Sequence, residues 1–265
     1  SSDRAFEEEV MLSGFANAQV KGEGSGVSFD EAQETFTARY THETVALAFA
    51  ITEEAIEDNL YDRLASRYTK ALARSMSNAK QVKSVEPLIN GLPTADAFDS
   101  GDGVSLFNTA HPTVAGTFAN TLATQADLNE TSLEQSLIDI AAMSDERGLR
   151  IAARGVKMII PSELQFTAER LMKSQGRTST ADNDINAIVS MGMIPQGYRV
   201  NNYLTDSDAF YILTDVPNGM KMFNRAPLTT AMEGDFDTGN VRYKARERYS
   251  FGVSDPRGIF GVEGA

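Results

Sequence analysis

Three features of the sequence predict an α+β fold with parts that extend beyond a single compact core. They are a helical run from about Glu53 to Val85, strand-like alternation in Phe36–Ile51 and Val241–Val253, and interleaved helix and strand patterns between residues 133 and 214. Length agrees with this, because 265 residues suit one large domain or two closely joined ones.

Taken in chain order, residues 1–13 mix the charges Asp3, Arg4, Glu7, Glu8 and Glu9 with the apolar Phe6, Val10 and Leu12, and no later segment is an obvious partner, so they read as an arm. Phe15–Phe29 holds Gly22, Gly24 and Gly26, too flexible for a helix, and is predicted as one limb of a long hairpin that turns near Asp30–Glu34. In the other limb, Phe36–Ile51, residues Phe36, Ala38, Tyr40 and His42 share one face while Thr35, Thr37, Arg39 and Thr41 take the opposite one.

The helix that follows has Thr52 as its N-cap and closes before Pro87. Its apolar stripe is Ile56, Leu60, Leu64, Tyr68, Leu72, Met76, Ala79 and Val82. Glu53, Glu54, Glu57 and Asp58 gather at its N-terminal end and Lys70, Arg74, Lys80 and Lys83 toward its C-terminal end, as the helix dipole favours. At about 1.5 Å per residue this is a rod of roughly 50 Å. Residues 91–130, including Asp99-Ser-Gly-Asp-Gly103, read as loops with short extended pieces. A second compact domain is expected from a helix at Leu133–Met143, a strand at Val156–Ile160, a helix at Ser162–Ser174, and strands near Tyr198–Leu204 and Ala209–Thr214.

Composition narrows the function. Net charge is −13, the opposite of the basic footprint of a protein that neutralises many phosphates. There is no cysteine, so disulfides and thiolate metal sites are excluded. The most apolar stretch, Val45–Ile51, is far shorter than the roughly 20 residues that span a bilayer. No signal-like segment is seen, and the chain reads as cytoplasmic or particle-borne.

Chemistry has few candidates. His42 and His111 lack a second ligand at helical spacing and read as structural imidazoles. Gly22-Glu-Gly-Ser-Gly26 has neither the lysine of a P-loop nor the spacing of a dinucleotide fingerprint. Asp182 with Asp184, Asp206 with Asp208, and Asp235 with Asp237 resemble fragments of divalent-cation sites, but none completes a calcium loop, and Asx turns explain them. No cofactor is required.

Val241–Val253 is the exception to this plainness. Val241, Tyr243, Ala245, Tyr249, Phe251 and Val253 point one way, and Arg242, Lys244, Arg246 and Arg248 the other. Four like charges in a row repel unless something negative covers them, and acidic groups of a neighbouring subunit are preferred over packaged DNA or scattered counter-ions. Glu247 lies on the apolar face, where it must be paired, protonated or at an interface.

The runs Arg39-Tyr-Thr-His42, Ala50-Ile-Thr52, Asp102-Gly-Val-Ser-Leu-Phe-Asn-Thr-Ala-His-Pro112, Ala181-Asp-Asn-Asp-Ile-Asn186, Tyr203-Leu-Thr-Asp206 and Glu247-Arg-Tyr-Ser-Phe-Gly252, in this order, resemble the Mu-type major head subunits of tailed bacteriophages. The order of parts also resembles the Hong Kong 97 fold. That resemblance implies an N-terminal arm (1–13), an extended loop hairpin (14–51), a peripheral domain (52–129) with a spine helix (53–85), an axial domain (130–235) and a return to the peripheral sheet (236–265). It implies a shell-building subunit without catalysis that forms hexamers and pentamers of an icosahedral capsid and encloses double-stranded DNA rather than binding it specifically. Scaffold, maturation protease and portal are the implied partners, and the virion, after assembly in the host cytoplasm, is the implied location. Phe6, Phe36, Tyr40, Arg242, Lys244, Arg246 and Arg248 are the expected inter-subunit contacts.

Some capsids of this fold cross-link a lysine of the extended loop to a neighbour's asparagine. Residues 22–51 contain no lysine, so that chemistry is not carried over, nor is a catalytic part for Glu247. Three rival readings are an encapsulin-like compartment, which shares the fold, a metal-assisted hydrolase built on the acidic pairs and His111, and a minor head or decoration protein, which fits the arm less well.

Overall fold

The structure, a computed structural model, describes residues 2–58, 61–94, 98–176 and 184–265. Leu60 of the expected helical stripe and Asp182 of the first acidic pair lie outside them, as does the side chain of Leu64. The elements in chain order begin with β1 (Phe6–Leu12), β2 (Glu34–Thr41), β3 (Glu43–Ile51), α1 (Glu53–Glu57) and α2 (Tyr61–Asn90). Then come β4 (His111–Thr113), β5 (Gly116–Phe118), α3 (Glu130–Ala142), β6 (Gly155–Ile160), α4 (Gln165–Lys173) and α5 (Ala187–Met191). The chain closes with β7 (Tyr198–Val200), β8 (Phe210–Thr214), β9 (Met220–Gly234), β10 (Val241–Val253), a 3₁₀ turn (Pro256–Gly258) and β11 (Ile259–Val262).

The chain divides into two units. One comprises residues 1–7, 40–85 and 222–251; the other comprises 8–39, 86–221 and 252–265.

In the first unit a three-stranded sheet runs in the order β3-β10-β9. Strand alternation makes one face of β3 and β10 apolar, and that face packs on α2, where Leu72 and Met76 meet Ala245, Val45 and Phe49. Phe49 stacks on Tyr243 with ring centroids 5.0 Å apart. β9 is an edge strand, which is how Pro227 is accommodated within it, since an edge residue has no partner for the missing N–H.

The second unit is built on a four-stranded sheet in the order β11-β8-β6-β7. Only the β6 and β7 pair is parallel. Both faces are covered. On one, Phe210 and Ile212 of β8 and Phe260 and Val262 of β11 pack with Leu133, Leu137 and Ile140 of α3 and Ala168 and Leu171 of α4. On the other, Tyr211 and Ile259 pack with Leu88, Leu92, Leu106 and Phe107. α3 starts at a reciprocal cap: the Asn129 side chain accepts the Ser132 N–H at 2.9 Å, and Ser132 Oγ accepts the Asn129 N–H at 3.0 Å.

Several expectations are met closely. β10 has the bounds read from the sequence, and α3, β6, α4 and β8 each fall within a few residues of theirs. Thr52 caps α1 as expected, accepting the Ala55 N–H at 3.4 Å.

Other elements differ. The helix expected at 53–85 is two helices, α1 and α2, and α2 continues through Pro87 instead of closing before it. An internal proline forfeits one helical hydrogen bond and clashes with the preceding turn, a cost of about 3 kcal/mol or more. Here the turn it occupies carries Leu88, which is 1% exposed, and leads to Leu92, 3% exposed; burial of each contributes roughly 1.5–3 kcal/mol. Core packing wins over local propensity.

The expected hairpin partner is also corrected. β2 pairs with β1 and not with residues 15–29, and Phe36–Ile51 is split at His42 into two strands of different sheets. The Ser13 N–H donates to the Gln33 carbonyl at 2.8 Å, and the Thr35 hydroxyl donates to the Met11 carbonyl at 3.1 Å. Residues 6–12 thus have a partner in their own chain, contrary to the reading of a partnerless arm. The reason is visible in their composition: Phe6, Glu8, Val10 and Leu12 alternate with Glu7, Glu9 and Met11, whereas the glycines of 22–26 leave that segment no side-chain pattern to pair.

A methyl group on Gly261 of β11 would lie 2.6 Å from carbons of the buried Phe107 ring. Gly261→Ala is therefore expected to destabilise the chain by about 1–3 kcal/mol, seen as a lower thermal midpoint of the purified protein, while Gly26→Ala, in open space, leaves it unchanged.

Candidate functional site

The longest of the sequence runs, Asp102–Pro112, forms a buried polar lock in the second unit. It begins with an Asx turn, in which Asp99 Oδ1 accepts the N–H groups of Gly101 (2.6 Å) and Gly103 (3.2 Å). Gly101 has φ +106° and a Cβ there would meet the Thr37 carbonyl oxygen at 2.6 Å, so only glycine fits. The turn delivers Asp102 to His111, whose Nδ1 lies 2.6 Å from Asp102 Oδ2. His111 Nε2 lies 3.0 Å from Asn120 Oδ1.

Hydrogen-bond accounting assigns the protons. The Asn120 amide donates to the carbonyls of Leu106 (2.7 Å) and Pro256 (3.1 Å), which orients its Oδ1 toward the Asn108 N–H (2.9 Å) and His111. Both ring nitrogens of His111 therefore face acceptor oxygens. Burial acts to raise the Asp102 pKa, but the hydrogen bond and charge of His111, with help from Ser100 and the Val104 N–H, hold it below the usual carboxylate value. His111 is 0% exposed, with both ring nitrogens engaged by its own chain.

A second buried charge group adjoins the first. The Phe118 ring stacks on His111 with centroids 4.7 Å apart, and the Arg257 guanidinium sits 4.1 Å from the centroid of the same ring. Arg257 pairs with Glu146 at 2.6 Å and Asp255 at 3.2 Å, and its Nε donates to the Ser144 carbonyl at 2.8 Å. The group joins the 102–120 loop, the end of α3 and the C-terminal turn. Sequence reading left Arg257 and Glu146 unnoticed, because Asp255-Pro-Arg-Gly258 looks like an ordinary turn and Glu146 like a solvated loop acid.

In the first unit, β10 carries the cationic row. Arg242, Lys244 and Arg246 are exposed, and their register partners on β3 are Ala50, Ala48 and Ala46, also exposed. Arg242 pairs with Asp235, whereas among the described residues neither Lys244 nor Arg246 makes an ion pair. The Arg248 Nε is buried without a hydrogen-bond partner. Glu247, 4% exposed on the apolar face, is paired with Lys80 of α2 at 3.0 Å, one of the outcomes its position demanded.

His42 is buried in the same unit, with Nε2 2.8 Å from Ser2 Oγ and Nδ1 3.0 Å from Ser250 Oγ. Burial first, then the charges of Arg248 and Arg225, push its pKa below the ordinary value, against an opposing effect of Glu7.

The remaining expected contacts are placed as follows. Phe6 is 39% exposed and Phe36 half-buried. Tyr40 is buried: at 2% exposure it packs edge-on against Phe223 with centroids 4.8 Å apart, within its own chain's core. Of the acidic pairs, Asp206 Oδ1 accepts the Asp208 N–H at 3.3 Å in an Asx turn, and the Asp208 pKa is raised by its contact with Asp206, by burial and by that charge. Asp235 is occupied by Arg242 and Thr238. Among the described residues no cluster of three His, Asp or Glu can hold a metal ion. No helix among them is long and apolar enough to cross a membrane.

The fold is shared with solved particle shells. It matches the capsid of Myoviridae phage XM1 with a TM-score of 0.58 at 11% identity, covering 99% of this chain and 86% of that one. The match to the capsid of a native GTA particle has a TM-score of 0.58 at 15% identity, covering 100% and 86%. A virus-like particle from Pyrococcus furiosus matches with a TM-score of 0.52 at 13% identity, covering 99% and 87%. These likenesses define the class as capsid-type shell folds. Residues 34–262 match the family of phage capsid proteins, and the chain belongs to that family. No curated protein sequence matches it.

Asp102→Asn disrupts a 2.6 Å hydrogen bond between two buried side chains and is expected to cost about 1–3 kcal/mol, read as a fall in the denaturation midpoint that Asp102→Asn with His111→Gln partly restores. For His42, whose native pKa lies below its unfolded value of about 6.5, the unfolded chain takes up a proton in the window just below that pH while the folded chain does not. Stability is thus full above the window and falls as pH drops through it. The thermal midpoint should decline as pH falls below about 6.5, and His42→Gln should flatten that decline.

Proposed function

We propose that this chain is the major capsid subunit of a tailed phage, assembling as hexamers and pentamers into an icosahedral shell that encloses double-stranded DNA and carrying out no catalysis of its own. Membership of the phage capsid protein family across residues 34–262 carries this reading. The distribution of exposed apolar side chains supports it. In the loop between β1 and β2, Val20 is 100% exposed, Phe29 97%, Val27 68% and Phe15 61%. Side chains of this size cost solubility unless covered, and interfaces of permanent assemblies commonly bury several thousand Å².

In this reading residues 14–51 are the extended loop that overlaps an adjacent subunit, with residues 1–13 as the arm beside it. α2 belongs to the spine of a peripheral domain made of 52–129 and 236–265, and residues 130–235 form the axial domain. Phe6, Phe36 and the row Arg242, Lys244, Arg246 and Arg248 act as contacts between subunits. Scaffold, maturation protease and portal are its assembly partners. The acidic net charge suits a container that releases DNA, because a wall without phosphate affinity does not hold its cargo.

Electron microscopy of the purified chain, expressed alone and with its phage's scaffold, tests the proposal. Closed shells or capsomer rings are expected. A persistent monomer under all conditions overturns it.

A further inference from the structure

Two parts of the molecule hold charges that its own chain leaves unsatisfied. The first is a cleft of about 330 Å³ in the second unit, walled by Phe36, Pro112 and Val114 and bordered by Glu34, Asp102 and Glu146. The Asp102 carboxylate is engaged by His111, but Glu34 is exposed and makes no ion pair among the described residues. Glu146 is 3% exposed; Arg257 holds its Oε1, while its Oε2 is buried with no hydrogen-bond partner. A buried, unpartnered carboxylate oxygen costs about 1–3 kcal/mol or more, which a cation arriving in the cleft would relieve. The second is the β10 row, where Lys244 and Arg246 stand exposed beside Ala48 and Ala46 and form no ion pair among the described residues.

We propose that the cleft receives the cationic side chains of β10, Lys244 and Arg246, from a second copy of this chain. This rests on the shell-subunit reading and names the contact within it. The chemistry of the cleft selects such an occupant: its apolar walls suit the aliphatic stem of a lysine or arginine, and carboxylates at its rim and floor suit the charged head. A small metal ion suits it less, because no three acidic or histidine side chains among the described residues converge there. The alanines of β3 leave the cations unobstructed, so that they can enter a recess rather than lie flat. A chain with net charge −13 gains further from concentrating scarce cations where a neighbour's acids await them.

The chain has no cysteine, which allows a clean test. Glu34→Cys subunits and Arg246→Cys subunits are assembled together and treated with a short bismaleimide. The expected result is a covalent dimer on a denaturing gel that requires both variants. In parallel, Glu34→Arg alone should lower assembly about tenfold, equivalent to some 1.4 kcal/mol, and Arg246→Glu in the same chain should restore it, as paired charges do in a double-mutant cycle. Circular dichroism of the Glu34→Arg subunit confirms that it is folded, since Glu34 is exposed. Regular shells without the mixed dimer, or without rescue by the second charge reversal, overturn this contact and leave the shell reading standing. Failure of the unmodified chain to form shells or capsomers overturns the shell reading, and this contact with it.

Discussion

The sheet β11-β8-β6-β7 is buried on both faces, and the rest of the second unit is arranged to keep it so. Successive residues of β8 serve different layers: Phe210 and Ile212 face α3 and α4, while Tyr211 packs with Phe107 and Leu88. Period-two alternation in a strand normally separates a wet face from a dry one. Here both sets are dry, which requires covering material on each side. α3 and α4 cover one side. The other is covered by the 98–107 loop and by the last turn of α2, and this explains why that helix runs on through Pro87 to bring Leu88 into the core.

A loop cannot cover a sheet as a helix does unless its polar groups are satisfied without a ladder of regular hydrogen bonds. The Asp102–His111–Asn120 group performs that task. Asn120 alone answers Leu106 and Pro256 carbonyls and the Asn108 N–H, and the His111 ring ties Asn120 to Asp102. Burying a charged pair is expensive and its reward is geometric definition more than stability. For a subunit that must present the same surfaces to many copies of itself, a single conformation of this loop is worth that cost. The cleft walled by Pro112 and Phe36 is shaped by the same residues, so the lock also fixes a surface to which a neighbour can dock.

The family places the chain among phage capsid proteins, and its physical features fit a part made for an assembly. Its apolar residues are split between two cores and a loop whose largest side chains face solvent. Four of its cations stand in a row on one strand, and one of its clefts is lined by acids. Each feature is a deficit for an isolated chain and an asset for one that closes against copies of itself.

What the sequence determined by itself was local. Alternation in Val241–Val253 marked β10 and its two faces, Glu247 was expected to be paired, protonated or at an interface and is paired with Lys80, and the cap at Thr52 and the loop character of Asp99–Gly103 could be named in advance. These follow from interactions within a few residues, where side-chain period and backbone chemistry suffice. β9 escaped notice, since an edge strand with Pro227 and small residues needs no strict alternation. Only the tertiary structure decided that β1, not the glycine-rich stretch, pairs with β2, that α2 outruns its proline, that Tyr40 turns inward, and that Arg257 completes a charge group begun 155 residues earlier at Asp102. These outcomes depend on which distant surfaces are available to bury, and such competition between partners is settled by the whole chain rather than by any segment of it.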